Sequence, residues 1–404
     1  MLDIGLGYSL EENSVLAAEQ AVRQAKANLK NSSKIDLGLI FNSYDFFTTG
    51  ITRTFNHLLP SVPLIGASGP AIITSQEISK HGIAILLLGF PEGIHCNTAV
   101  ARDISEKNPS ICGKELAEKL ILEFKNIPRN LGILFFDKLT NGGPNFISGL
   151  QEVFGKSFPC IGASLSAQDN SMLSALYLNN ETLHDSCAGM LWGGKISFGM
   201  GIKHGWKPLG KPHIASDAIG NIINSIDDKP AVELYEDYLS YDAAKLKKHL
   251  NKLSVSYPIG VFIPGEEEYL LRNVISIEDR GSLICHGNIP EGSTIRLMIS
   301  TRETCLNAAT QAIQEALENL ESSLLYHHGD QKNTKFAIVF SSISRYNLLR
   351  RDIQKELNLI KSGLGEIPFI GIYTHGELAP LTASNYRGQV YFHNQDFSVL
   401  IIEG

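Results

Sequence analysis

The chain has 404 residues, 43% hydrophobic and 19% charged, which is enough apolar material for large cores and for two or three domains. A formal net charge of only -7, with acidic and basic residues interspersed, argues against binding nucleic acid. No run is apolar and uncharged for the length that spans a bilayer, and MLDIGLGYSLEENS lacks the basic then apolar pattern of a leader, so a cytoplasmic protein without membrane insertion is expected. The cysteines (Cys96, Cys112, Cys160, Cys187, Cys285, Cys305) are far apart, with no C-x-x-C and no zinc-type spacing. They are read as reduced, core-filling thiols, and no metal is expected.

GLGYS near the start fails the dinucleotide-binding pattern, and no phosphate-loop motif follows it. The first clear unit is LGLIFNS (37–43), the helically spaced FTTGITRTFNHLL, and PLIGASGPA (63–71). HGIAILLLGF (81–90) then reads as a buried antiparallel strand, and GKELAEKLILEFK (113–125) as a helix. The same unit returns as LGILFFD (131–137), NFISGLQEVF and PCIGASLSA (159–167), followed by the strand-like SALYLNN (174–180). PAVELYEDYLSYDAAKLKKHLNKLSVS (230–256) predicts one or two amphipathic helices, and the main boundary is placed there, dividing residues 1–240 from 241–404. A helix over 304–322 and a polar loop over 324–335 lead to the third copy: FAIVFSS (336–342), RRDIQKELNLIKS and PFIGIYTHGELAP (368–380). GQVYFHNQDFSVLII (388–402) closes the chain as one long strand.

Each unit is β-α-β, so the expected fold is α/β: two domains of mixed β-sheets flanked by helices. Parallel strands bring their C-terminal ends to one edge, where α/β sheets receive ligands. That places Asn42, Ser43, Tyr44 and Asp45 near Ser68, and Ser341, Ser342 and Arg345 near Tyr373, Thr374, His375 and Glu377.

Nearly the whole chain resembles FIST-domain proteins. The matching stretches are the PLIGASGPA turn, HGWKPLGKPHIASDAIGNIINSIDDKPAVELYEDYL (204–239), YPIGVFIPG (257–265), YLLRNVISIEDRGSLICHGNIPEGSTIRLM (269–298), PFIGIYTHGELAP and FHNQDFSV (392–399). The resemblance implies a cytoplasmic sensory module with a FIST N half and a FIST C half, one that binds small ligands such as amino acids. Some members resemble haem proteins that sense nitric oxide. The family's cysteine and glycine before the arginine of the C half are Ser342 and Ser344 here, and its tyrosine in the YTYGE stretch is His375, so a role resting on the family's thiol does not carry over to this position and the ligand's identity stays open. No kinase, cyclase or methyl-accepting segment follows Gly404, so the expected output runs through a separate histidine kinase, cyclase or chemotaxis component; a homodimer is compatible with the sequence.

Arg345 is expected to hold a ligand carboxylate through its planar fork, and Glu377 to accept from an ammonium group. Tyr373 and Thr374 would add a wall and a hydroxyl, and His393 and Asn394, polar groups in an apolar run, would orient the ligand. No cofactor is expected; the alternative is haem, with His375 and His393 as axial ligands and no covalent c-type attachment. A hydrolase is the least favoured reading, since the G-A-S turns at Ser68 and Ser164 lack the fifth glycine of a nucleophile elbow. Ser43, Asp45 and Ser68 mark where a second, N-terminal pocket would lie.

Overall fold

The computed structural model describes residues 1–404 except 31–33, 47, 138–141, 166–173, 327–333 and 382–388. Short apolar runs punctuated by glycine, proline or polar turns form strands, and the longer amphipathic stretches between them form helices. The first repeat is β1 (Asp3–Ser9), α1 (Ser14–Asn28), β2 (Leu37–Ser43), α2 (Thr48–Leu58), β3 (Leu64–Gly69), a hairpin of β4 (Ile72–Ile73) and β5 (Ile78–Ser79), and β6 (Ile83–Gly89). The second is β7 (Ile94–Arg102), α3 (Pro109–Ile121), β8 (Arg129–Phe136), α4 (Gly143–Phe154), β9 (Cys160–Ser164), a hairpin of β10 (Leu176–Leu178) and β11 (Glu181–Leu183), and β12 (Ser186–Gly194).

The third repeat starts with β13 (Ser197–Lys203) and is then interrupted. The inserted unit contains β14 (Lys207–Ile219), β15 (Ile222–Ile226), β16 (Lys229–Pro230), α5 (Glu233–Leu239), α6 (Ala243–Ser256), β17 (Ile259–Val261), β18 (Leu270–Arg272), β19 (Val274–Ile277), β20 (Leu283–Cys285) and β21 (Thr294–Ile299). Its strands form an antiparallel sheet of their own. The expected boundary at 240/241 falls between α5 and α6, inside this unit. The third repeat resumes with α7 (Arg302–Tyr326), β22 (Lys335–Ser342), α8 (Ile343–Leu349), α9 (Ile353–Leu364), β23 (Phe369–Thr374), a hairpin of β24 (Gly376–Pro380) and β25 (Val390–His393), and β26 (Phe397–Glu403). Most of the polar loop expected over 324–335 lies outside the described residues.

The expected α/β class with mixed sheets is observed, and the strands of each anticipated unit pair in parallel: β2 with β3, β8 with β9, β22 with β23. The three sheets share one plan, β1-β6-β2-β3, β7-β12-β8-β9 and β13-β26-β22-β23, and each is completed by the hairpin of a different repeat. The β10–β11 hairpin of the second repeat joins the first sheet, β24–β25 of the third joins the second, and β4–β5 of the first joins the third. The exchange is cyclic.

The inner faces of the three sheets meet on three phenylalanines at equivalent positions. Phe41, Phe135 and Phe340 are fully buried and contact one another edge-on, with ring centroids 5.7, 6.3 and 6.1 Å apart. The outer faces carry the helices. Gly5 and Gly7 of β1, and Gly199 and Gly201 of β13, lie directly under α1 and α7, where a Cβ would come within 1.9–2.1 Å of the carbonyl oxygens of Ala25, Ala21, Ala316 and Ala312. The G-x-G near the start is thus a helix seat.

Phe135→Ala is expected to cost about 3–5 kcal/mol in urea unfolding, since the other two rings cannot close the gap. Phe262→Ala, on the surface of the inserted unit, should stay within about 0.5 kcal/mol of wild type.

Candidate functional site

Arg345 and Glu377 do not share an opening, which corrects the expected placement. Successive residues of a strand point to opposite faces, so Tyr373 turns toward the helices and Thr374 toward the centre. Arg345 belongs to the helix side. Fully buried, its Nε and Nη2 donate to Oε1 of Glu356 at 3.2 and 2.6 Å, Nη1 donates to the His204 carbonyl oxygen at 3.2 Å, and Nη2 to that of Cys305 at 2.8 Å. Tyr373 donates its hydroxyl proton to the other Glu356 oxygen. The guanidinium therefore has its carboxylate inside the protein, and it also grips both ends of the inserted unit, which leaves the core after His204 and returns just before Cys305. The polarity of Glu356, on the buried side of α9, was the missed signal.

Glu377 lies on the inner face. It pairs with Ala163 of β9 and His393 of β25, in the row that holds Phe135. In the other two sheets the corresponding hairpin positions are Ile72 and Leu176, both apolar core residues. The third repeat alone buries a carboxyl there. Thr374 donates its hydroxyl to Glu377 Oε1, and the Asp396 N–H donates to Oε2 at 3.2 Å. Burial, with the charge of Asp396 second, raises the Glu377 carboxyl to about 8.

Around Glu377 the polar atoms are not fully used. His393 is buried, with Nε2 2.9 Å from the Ala379 carbonyl oxygen. Its Nδ1 lies 3.3 Å from Asp396 Oδ2, an ion-pair distance if the ring is protonated, yet neither atom completes a hydrogen bond. Ser398 Oγ, on the inner face of β26 where β6 and β12 carry Ala84 and Ala188, also has no partner among the described residues. Each buried orphan costs about 1–3 kcal/mol. Asp396 and Ser398 were not singled out from sequence; aligning the repeats against one another would have exposed Ser398.

The run 388–402 is two strands in different sheets, broken at Gln395, whose φ of 70° is left-handed. Alternation therefore does not continue from His393 into Asn394. Asn394 Oδ1 accepts from the Asn273 N–H at 3.1 Å, while its Nδ2 is unpartnered. Gln395 Nε2 donates to the Ser254 carbonyl oxygen at 3.2 Å and to the Asn273 side chain. F-H-N-Q is thus where the inserted unit docks on the core.

His393 does not suit a haem iron, because Nε2 is held by a carbonyl and the ring is enclosed. The His375 ring stacks on Tyr44, centroids 6.4 Å apart, and the backbone N–H of His375 donates to the Ser164 carbonyl oxygen at 2.8 Å. Among the described residues, no group of three or more His, Cys, Asp or Glu is placed to hold a metal ion. In the first repeat Ser43 donates to Asp45, which also meets His81. Ser68 is fully buried; its Oγ accepts from the Ala175 N–H at 2.8 Å, so it closes the β3–β10 junction and presents no nucleophile.

Comparison with known proteins places the chain. The FIST N domain is matched over residues 36–229 and the FIST C domain over 231–380. The chain belongs to the FIST family. FIST domains are sensory domains, and the role of this FIST protein is accordingly sensory and ligand-binding. It is similar to an uncharacterized protein of Methanocaldococcus jannaschii, 24% identical over 87% of this chain and 71% of that one. An uncharacterized protein of Mycobacterium tuberculosis is 19% identical over 52% of this chain and 53% of its own length, so the chain spans about half of that relative. Among solved structures, cyanuric acid hydrolase from A. caulinodans aligns over 100% of this chain and 99% of its own, at 6% identity and a TM-score of 0.37, too low to carry an argument. Among the described residues no helix is long and apolar enough to cross a membrane.

Arg345→Ala is expected to destabilise by about 3–5 kcal/mol in urea unfolding, because it strands the buried Glu356 carboxylate. Replacing both partners, as Arg345→Met with Glu356→Leu, should recover most of that loss. A second expectation concerns pH. Between the ordinary value of 4.5 and about 8, folded Glu377 keeps a proton that the unfolded chain has released. Folding is then linked to proton uptake, so this group makes stability fall as pH rises through that window. Glu377→Gln should flatten the slope measured by urea titration across it.

Proposed function

We propose that the FIST protein is a cytoplasmic sensor of an amino acid or related small metabolite, bound without turnover at the polar seam of the third repeat. The observation that carries this reading is the polar substitution of one repeat's core: Glu377 stands where the other repeats bury Ile72 and Leu176, paired with His393 and bonded to the Asp396 N–H, and Nδ1 of His393, Oδ2 of Asp396 and Oγ of Ser398 on the same repeat are unpartnered among the described residues. A core that served packing alone would gain from aliphatic residues at these positions, as the other two repeats do. Asp396 suits an ammonium group, as does Glu377 once that cation draws off its proton, while Ser398 offers a hydroxyl.

Occupancy reaches the output only if the ligand prefers one arrangement of the core and inserted unit over another. Asn394 and Gln395, which follow His393 directly, connect the seam to that unit. A separate signalling protein, of the histidine kinase, cyclase or chemotaxis type, then reads the change.

A thermal-shift panel of the standard L-amino acids tests the reading, since a ligand that binds the native state raises the melting temperature. At least one is expected to do so, and Asp396→Asn should reduce the shift. A panel without any shift, or a Soret band in the purified protein, would remove the proposal.

A further inference from the structure

The carboxylate of an amino acid needs a cation, and Arg345 is already committed to Glu356. Another buried guanidinium lies against the hairpin of the seam. Arg272, at the end of β18, is 3% exposed, and its hydrogen bonds all go to backbone carbonyl oxygens: Nε to Asn288 at 3.0 Å, Nη1 to Leu271 at 2.8 Å and to Phe392 at 2.9 Å. Phe392 is the residue before His393, so the contact brings Arg272 against the hairpin that carries Glu377.

Arg345 and Arg272 differ in one respect that decides their roles. Buried arginines are ordinarily neutralised by a carboxylate, as Arg345 is at 2.6 Å. Among the described residues, no carboxylate stands at ion-pair distance from Arg272, and none of its hydrogen bonds involves Nη2. Burial lowers the Arg272 guanidinium to about 10, against the opposing pull of Cys285 and of Asp396, which leans on His393. Burial, then the charges of Arg272 and His375, hold the His286 imidazole down to about 3. Gly287, at a left-handed φ of 115°, keeps space beside the guanidinium, since a Cβ there would lie 2.9 Å from Nε.

We propose that Arg272 is the anion anchor of the sensory site: it receives the carboxylate of a ligand whose ammonium group lies toward Glu377 and Asp396, which makes the ligand class the zwitterionic α-amino acids. This rests on the reading of the seam as the ligand site. It also gives the inserted unit a direct part in recognition, because Arg272 comes from that unit whereas Glu377, His393 and Asp396 come from the core.

The test compares, on the full chain, each L-amino acid that shifts the melting temperature with the matched amine that lacks its carboxylate, and measures affinity by calorimetry. Wild type should bind the amino acid more tightly than the amine. Arg272→Gln should weaken the amino acid by about 10- to 100-fold while leaving the amine's binding unchanged. Equal binding of acid and amine by wild type overturns the proposal, as does undiminished amino-acid binding by Arg272→Gln. If that variant does not fold, the wild-type comparison of acid and amine decides alone. Binding of amines without carboxylate preference would refute the anchor and leave the seam standing, whereas failure of every probe would remove both.

Discussion

No sheet of the core is complete within its own repeat. The β10–β11, β24–β25 and β4–β5 hairpins each extend the sheet of a different repeat, so backbone pairing binds the three repeats into a closed ring. Phe41, Phe135 and Phe340 fill the space that the ring encloses. Long-range pairing of this kind carries a large loop-closure cost before any contact forms, which only the joint burial of all three inner faces offsets. The arrangement explains why a third repeat can hold a unit of its own strands and helices between β13 and α7 without losing its place.

Within that near-symmetric frame the departures from symmetry are informative. The hairpin position that is Ile72 and Leu176 in two sheets is Glu377 in the other, and the alanine of β6 and β12 becomes Ser398 in β26. Symmetry supplies an internal control: the same backbone position tolerates Ile72 and Leu176, so the carboxyl is not imposed by the fold.

Much of the architecture was legible in the chain. The β-α-β units, their parallel pairing and the separating helices follow from apolar runs with glycine and proline at fixed places, because periodicity and turn chemistry are local properties. The hairpin exchange was not legible: nothing in Ile72–Ile73 specifies that its partner is Gly371–Ile372 and not a strand of its own repeat. Of the candidate residues, Thr374, Glu377 and His393 do gather at one place, whereas Arg345 and Tyr373 belong to a network completed by Glu356, seventeen residues from Tyr373 and on a helix. Side-chain alternation on β23 separates the two groups, and that argument was available at Tyr373–Thr374 without coordinates. The break at Gln395 needed a backbone angle that no composition announces.

The grip of Arg345 on His204 and Cys305 has a mechanical consequence. Both necks of the inserted unit are fastened to one buried point, and a second fastening lies at Asn394 and Gln395. A ligand that altered the turn at Asn394 and Gln395 would therefore act on the inserted unit at its junction with the core, while the buried arginine kept both necks in place.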